Sequence, residues 1–330
     1  MLIMEKLMRT LMIALLTVLP ISANAGAMIG DVNGDGKVSI ADVAALIDYL
    51  LRSAENEDMY VYGDVNNDNV VNIGDVSSLI DILLAGQGDE PQAQVITETI
   101  TANGVTFTMV LVECGTFTMG ATAEQLDEAL LNEYPAHEVT LTNNYYICQT
   151  EVTRELWNAV LGNESSETPV NSQNPVVNVS LFDCATFVDK LSAMTGRIFR
   201  MPTEAEWEFA ARGGKLAAGN RYSGAMNADD VAWYCENSGG LIHPVAHKRP
   251  NELGIYDMSG NVAEWCLDWY VHYDSEPQVN PIGPESGQTS VYRGGGCNSA
   301  STMCRVSARD GLDPYARAND LGFRVVMNCQ

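Results

Sequence analysis

The sequence predicts a small all-α domain followed by a larger α+β domain with much irregular structure. A 33-residue repeat begins at Gly30 and again at Gly63, and each copy is a polar loop followed by an apolar, helix-like run. A small, polar, proline-containing stretch follows the second copy. Beyond that stretch the chain carries no repeat and mixes short alternating segments with a few helical patterns.

Composition supports two domains and excludes one class of partner. The chain has 330 residues, of which 46% are hydrophobic, and this is enough to build a sizeable core. Its formal net charge of −25 argues against a nucleic-acid partner, because phosphate binding needs clustered Lys and Arg. An acidic surface is also typical of proteins that bind cations.

The N-terminus has the pattern of a secretory signal peptide. Lys6 and Arg9 precede an apolar run over residues 11–21, and Ala23-Asn24-Ala25 fits the small-x-small cleavage pattern. We therefore expect residues 1–25 to be removed. The alternative is a retained anchor, but the apolar run is short for a membrane span, and no other stretch approaches that length.

Each repeat begins with a pattern of oxygen-bearing residues that is typical of a calcium loop. A hard cation such as Ca²⁺ takes about six to eight oxygen ligands, and alternate residues of a tight loop converge on one point. The fourth ligand of each set is predicted to contribute its backbone carbonyl, and the fifth to bind the ion through a water molecule. The predicted ligands are Asp31, Asn33, Asp35, Lys37, Ser39 and Asp42 in the first copy, and Asp64, Asn66, Asp68, Val70, Asn72 and Asp75 in the second.

The charge of this region also favours bound metal. Residues 26–90 contain 13 acidic and 2 basic residues. Without a cation, the loop carboxylates would repel one another. The alternative is a pair of acidic turns that bind no metal.

The repeat, over residues 30–86, resembles a dockerin module, because no helix precedes each loop and the closing ligand is Asp rather than Glu. The resemblance implies a cohesin module of a scaffold protein as partner, and the signal-peptide pattern predicts that the protein, which looks bacterial, is secreted, periplasmic or held at the cell surface. Docking would use the helix after each loop and the residues that open it: Ile40, Ala41, Ile73 and Gly74. We assign residues 26–86 to this domain, 87–97 to a linker and 98–330 to the second domain.

The second domain is predicted from local patterns. Residues 105–120 alternate like two strands around a turn, and residues 137–153 begin as a strand and run into a helix. Capping-box spacing precedes two further helical patterns, at Ser180 with Asp183 and at Thr203 with Glu206. Gly213-Gly214 ends the second of these helices.

All eight cysteines follow the signal peptide. An even number in an exported chain is compatible with up to four disulfides, but the sequence does not choose the pairing. A zinc site is not expected, because there is no CxxC and there are only 4 histidines. Cys297 and Cys304 lie in a glycine- and serine-rich stretch, and they are interpreted as a redox pair, a structural disulfide or bystanders.

Six segments occur in the order found in one family: MVLVECGTFTMG, YYICQTEVT, RMPTEAEWEFAARGG, NELGIYDMSGNVAEWCLDWY, YRGGGCNSASTMCRVSAR and NDLGFRVVM. The chain thereby resembles the formylglycine-generating enzyme, or sulfatase-modifying factor, family. The resemblance implies a C-type-lectin-like fold with bound calcium. Active members oxidise a sulfatase cysteine to formylglycine with copper, O₂ and a pair of cysteines.

The resemblance also implies a calcium site in the second domain. Its ligands would be the side chains of Asp257 and Glu264 and the carbonyls of Gly260 and Val262, a donor set that suits calcium. The alternative is a solvated turn. A second site would fall near Asn237 and Gly239.

The catalytic pattern of the family is not retained. Active members place their two cysteines closer together, whereas Cys297 comes early after the glycines and Cys304 corresponds to a later, structural cysteine. The disulfide partner of that later cysteine would be at Ala211, and Ala263 stands where the family has Trp. Cys297 and Cys304 are therefore weak catalytic candidates, and copper is expected only if the protein is catalytic.

The leading hypothesis is a secreted, non-catalytic module that binds a glycan or protein and is tethered through its dockerin. One alternative is a formylglycine-generating oxidase with a displaced cysteine pair. Others are a diversified lectin-like binding protein, with residues 296–320 as its variable segment, and a structural assembly component. Trp233 and Tyr234 are the aromatic residues that we expect at the surface.

Overall fold

The computed structural model of the chain describes residues 32, 38–52, 63–65, 70–86, 95–162 and 172–329. The chain divides into two compact units, residues 1–94 and residues 95–330. The predicted signal peptide and most of the predicted linker lie outside the described residues. Within the described ranges, no helix is long and apolar enough to cross a membrane.

The described residues of the first unit form two helices, α1 (Ile40–Arg52) and α2 (Ile73–Gly86), and each begins where a predicted loop ends. Their inward faces form a small core with the preceding loop residues Val32 and Val65; the helical members are Val43, Leu46, Val76 and Leu79. The 33-residue period places equivalent side chains on the two helices, so both copies bury the same positions.

The second unit is built on three small sheets. The largest has the strand order β1 (Thr97–Ala102), β2 (Val105–Val112), β5 (Tyr145–Cys148), β12 (Val326–Asn328) and β6 (Phe199–Arg200). All of its neighbouring strands are antiparallel. Strand β12 lies between β5 and β6, so residues near the C-terminus belong to the same sheet as the first strands of this unit.

The other two sheets are more irregular. One has the order β10 (Arg309–Leu312), β9 (Ser290–Arg293), β7 (Ala263–Trp269) and β11 (Leu321–Gly322). The other has the order β3 (Gly115–Met119), β4 (His137–Leu141) and β8 (Gln278–Val279). The predicted strands over residues 105–120 are confirmed as β2 and β3.

The described residues of this unit also form four helices: α3 (Arg154–Leu161), α4 (Leu181–Thr195), α5 (Glu204–Ala211) and α6 (Ala228–Val231). Both predicted capping boxes are confirmed, at the N-termini of α4 and α5. In each box the hydroxyl of the capping residue accepts a hydrogen bond from the backbone N–H of the residue three positions later. The carboxylate of that later residue accepts a hydrogen bond from the backbone N–H of the capping residue. Gly213 follows α5 with φ of 96°, a conformation that favours glycine.

Buried ion pairs hold the irregular segments of the second unit. Four arginines have almost no solvent exposure, and each pairs with a buried glutamate: Arg293 with Glu208, Arg305 with Glu133, Arg309 with Glu204, and Arg324 with Glu264. The partners are far apart in sequence, and no local pattern predicted them. Each pair fastens a loop or strand from the last forty residues to an earlier element.

Candidate functional site

The closing residues of the two predicted calcium loops are buried and turned towards their loops. The Asp42 carboxylate accepts the Ser39 N–H at 2.8 Å. The Asp75 carboxylate accepts the Asn72 N–H and the Val65 N–H, both at 2.8 Å. A calcium loop requires this orientation, because its last carboxylate must face the ion.

Half of the predicted loop ligands lie outside the described residues: Asp31, Asn33, Asp35, Lys37, Asn66 and Asp68. The described ones are Ser39, Asp42, Asp64, Val70, Asn72 and Asp75. The Asn72 side chain bridges its own loop, donating to the Val70 carbonyl at 3.1 Å and accepting the Gly74 N–H at 2.6 Å. Among the described residues, no three His, Cys, Asp or Glu side chains gather as a metal cluster.

In the second unit, the Asp257 side chain is buried and only partly hydrogen-bonded. Its side chain is 3% exposed, and its backbone has φ of 57°. One carboxylate oxygen accepts the Ala246 N–H at 2.7 Å, whereas the buried Oδ1 has no hydrogen-bond partner. Burial, together with the nearby charge of Glu264, raises the pKa of Asp257 to about 6. A bound cation would satisfy the unpartnered oxygen and oppose both effects.

Glu264, the other carboxylate predicted for this site, is already held by protein groups. Arg324 donates to both of its oxygens at 2.6 Å, and the indole N–H of Trp207 donates at 2.8 Å. The Gly260 N–H donates to the Gly294 carbonyl at 2.8 Å. Of the predicted ligands, Asp257 thus has a carboxylate oxygen without a hydrogen-bond partner, whereas both oxygens of Glu264 accept hydrogen bonds from Arg324.

A third carboxylate lies in this region, that of Glu151, which was not among the predicted ligands. It is 1% exposed and accepts the Asn261 side-chain N–H at 2.8 Å and the Val262 N–H at 3.0 Å. Burial, followed by the charges of Asp257 and Glu264, raises its pKa well above the ordinary value. Its position in the segment YYICQTEVT, directly after β5, was the available signal.

The residues predicted for a second calcium site shape a turn. The Asn237 side chain accepts the Tyr234 N–H at 2.9 Å and donates to the Ala232 carbonyl at 3.0 Å. Gly239 is exposed and has φ of 67°. The amide oxygen of Asn237 is thus used by the backbone of its own turn.

The two candidate catalytic cysteines are buried. All eight cysteines are free thiols, and Cys297 and Cys304 are 2% and 0% exposed. Burial raises the pKa of Cys297 to about 11, with a further contribution from Asp320. Burial also raises the pKa of Cys304 to about 12. Burial thus disfavours the thiolate form of both side chains, and the thiolate is the nucleophile and the metal ligand.

Neighbouring groups further restrict these cysteines. The Cys297 N–H donates to the Asn261 carbonyl at 2.8 Å, and the Ser238 hydroxyl donates to the Cys297 carbonyl at 2.7 Å. The Cys304 thiol is directed at the Ala300 carbonyl, 3.7 Å away. A Cβ at Gly295 would lie 3.0 Å from the Cys304 sulfur, so that side of the thiol is covered by backbone. These residues do not fit an open copper(I) dithiolate site.

The rings of the two aromatic residues expected at the surface are largely covered by other side chains. Trp233 stacks on His243 with ring centroids 3.8 Å apart, and the Lys248 ammonium lies 4.2 Å from its ring centroid. The expectation for Tyr234 is wrong, because its side chain is 5% exposed and its hydroxyl donates to Asp229 at 2.9 Å.

Two family models match the chain. The model described as a sulfatase-modifying factor enzyme 1-like domain matches residues 97–329, and the dockerin type I domain matches residues 29–61. A chaperone protein LppX from Paenibacillus barcinonensis is 31% identical, over 66% of this chain and 88% of that protein. A formylglycine-generating enzyme from Streptomyces coelicolor is 38% identical, over 46% of this chain and 52% of that enzyme.

Solved structures resemble the second unit. Treponema denticola variable protein 1 matches with a TM-score of 0.63 and 32% identity, over 71% of this chain and 99% of that one. PvdO from Pseudomonas aeruginosa matches with a TM-score of 0.61 and 27% identity, over 71% of this chain and 98% of that one. The C-terminal fold expected from the sequence is thus the fold of these proteins.

Proposed function

The chain belongs to the sulfatase-modifying factor enzyme 1-like family, and on that premise we propose that it is a non-catalytic binding module tethered by calcium-dependent docking. The ligand of the module is a glycan or a protein, and the tether is the dockerin-like unit. The proposal rests above all on one observation, the burial of Cys297 and Cys304.

Copper-dependent oxidation of a substrate thiol requires two soft ligands that substrate and O₂ can reach. Here neither sulfur has significant exposure, and burial disfavours the thiolate form of each. The Streptomyces relative named as a formylglycine-generating enzyme is matched over 52% of its length, so its activity is not carried over to this chain.

We expect no copper(I) site that depends on Cys297 or Cys304. In competition with a colorimetric copper(I) chelator, the full chain and the variants Cys297→Ser and Cys304→Ser should hold equal amounts of metal. Exposed thiols such as Cys235 and Cys329 account for any weak binding, and Cys235→Ser is the matched control. A tight, stoichiometric site lost in either buried-cysteine variant would contradict the proposal.

The helix faces of the first unit support docking. Ile40 and Ile73, which begin the two helices, are 75% and 46% exposed, and Ile47 and Ile80 are each 39% exposed. These residues form two pairs related by the 33-residue period, so each helix presents the same apolar positions to a partner. A cohesin module fits this surface, because an exposed apolar face on a small domain is typical of an interaction site.

The proposed cofactor is calcium. Each loop would hold one ion, closed by Asp42 or Asp75, and Asp257 would contribute to a further ion in the second unit. Together with the signal-peptide pattern, the dockerin match supports an exported bacterial protein, secreted, periplasmic or cell-surface.

A protein ligand is a second candidate for the binding module. It is favoured by the relative named as a chaperone, which matches over 66% of this chain. The structural assembly component and the diversified lectin-like binding protein are likewise hypotheses in which the second domain binds a partner without catalysis. Ligand capture by the full chain carrying Asp42→Ala and Asp75→Ala would separate the module's own ligand from a docking partner, because these substitutions change only the loops of the first unit.

A further inference from the structure

Two large aromatic side chains lie exposed and in contact on the second unit. Phe182, in the first turn of α4, is 45% exposed, and Tyr315, in the loop after β10, is 73% exposed. Their ring centroids are 4.6 Å apart, with an angle of 38° between the rings. A large part of the apolar surface of both rings therefore stays in contact with water in the folded protein. We propose that this aromatic pair, with the polar side chains around it, binds a sugar ring of a neutral polysaccharide.

The loop that carries Tyr315 is held in place by backbone hydrogen bonds. The Leu181 N–H donates to the Pro314 carbonyl at 3.1 Å, and the Asn178 N–H donates to the Ala318 carbonyl at 2.8 Å. The Tyr315 N–H donates to the Asp313 carboxylate at 2.8 Å. The two rings are therefore positioned before a ligand arrives, which lowers the entropic cost of binding.

Polar groups border the aromatic pair. Arg317 reaches back from the loop to pair with Asp183 at 2.7 Å and donates to the Asn178 carbonyl at 3.2 Å. Thr186 lies one helical turn beyond Phe182 and is exposed. Arg317 is paired with Asp183, and Asp313 adds a negative charge beside Tyr315, so the surface disfavours an anion, while these side chains can hydrogen-bond the hydroxyls of a neutral ligand.

The size of the aromatic pair favours a sugar over a protein surface. A stable protein interface buries about 800 Å² on each partner. Two aromatic side chains at these exposures offer roughly 200 Å². A sugar ring has a C–H face of matching size, which packs on the electron-rich face of an aromatic ring, and a rim of hydroxyls for the polar border.

This inference rests on the proposed function, since it places the ligand of the binding module. Its test is affinity electrophoresis of the full chain in native gels that contain one neutral polysaccharide each: a β-glucan, a xylan, a galactomannan or a starch. We expect retardation in at least one gel. Tyr315→Ala and Phe182→Ala should weaken the association constant at least tenfold, while Tyr315→Phe retains it.

Ile198→Ala is the matched control, because Ile198 is 71% exposed and lies beyond the C-terminus of α4. It should leave retardation unchanged. Retardation that survives both aromatic-to-alanine variants would overturn the site while leaving the binding module intact. No retardation in any gel, or loss of a protein ligand instead in Tyr315→Ala, would overturn the sugar proposal. Failure of the proposed function itself would show separately, as copper-dependent oxidase activity.

Discussion

Chelation of calcium in the full chain is expected to abolish cohesin docking and to expose the backbone amides of α1 and α2 to exchange. The reason is electrostatic, because the acidic loops must hold several carboxylates together. At a calcium concentration about 100-fold above the dissociation constant, binding stabilises the folded unit by about 2.7 kcal/mol. Removal of the metal is therefore expected to loosen α1 and α2, which carry the isoleucines that we propose for docking.

Hydrogen exchange with mass spectrometry localises this effect within the intact protein. Peptides that cover Ile40–Arg52 and Ile73–Gly86 should lose protection on chelation, whereas peptides of β2 and β3 should keep it. Asp42→Ala and Asp75→Ala should each reproduce part of the loss. The matched control is Asp48→Ala, an acidic residue of α1 outside the loop, and it should retain the calcium response. Equal protection with and without calcium would contradict the metal assignment.

The second large effect is expected at the Arg305–Glu133 pair. Both side chains are fully buried, the guanidinium donates to both carboxylate oxygens at 2.6 and 2.7 Å, and Ser307 donates to the carboxylate as well. Arg305→Met leaves a buried carboxylate without its cation and should lower the free energy of unfolding by about 3–5 kcal/mol. Urea denaturation at neutral pH measures this change.

The exposed pair of Lys215 and Glu113 supplies the control, with side chains 53% and 57% exposed. Lys215→Met should change stability by about 1 kcal/mol or less. The double variant Arg305→Met with Glu133→Leu should recover much of the loss, because it removes the unpaired charge. A single variant as stable as the wild type would show that the pair does not hold the loop.

The pH dependence of this pair has a defined sign. Burial alone would raise the pKa of Glu133, but the hydrogen bonds from Arg305 and Ser307 hold that pKa below its ordinary value. The pair's contribution is therefore complete above the unfolded-state pKa of about 4.3, and it is lost as pH falls through the folded-state pKa.

Local signals account for the parts of the fold that the sequence predicted. The capping boxes at Ser180 and Thr203 depend on residues three positions apart, and the helix starts at Ile40 and Ile73 follow from the repeat. Spacing of this kind is readable because the groups that interact are neighbours in the chain.

Long-range contacts account for what the sequence did not predict. The local sequence around Glu264 predicts a calcium ligand, yet its carboxylate accepts hydrogen bonds from Arg324, sixty positions later in the chain. The aromatic surface was expected at Trp233 and Tyr234, but Phe182 and Tyr315 form it across more than a hundred residues. No local pattern encodes such pairs, because they exist only once the sheets bring distant segments together.

Oxidation of a sulfatase-derived cysteine peptide tests the central claim most directly. The full chain is incubated with the peptide, copper(I), O₂ and dithiothreitol, which supplies the remaining electrons for reduction of O₂ to water, and mass spectrometry follows conversion of the cysteine to the aldehyde with release of sulfide. With a formylglycine-generating enzyme alongside as positive control, the buried thiols of Cys297 and Cys304 predict an unchanged peptide. Aldehyde formation by the wild type that disappears in Cys297→Ser or Cys304→Ser would contradict the account and identify the protein as an oxidase.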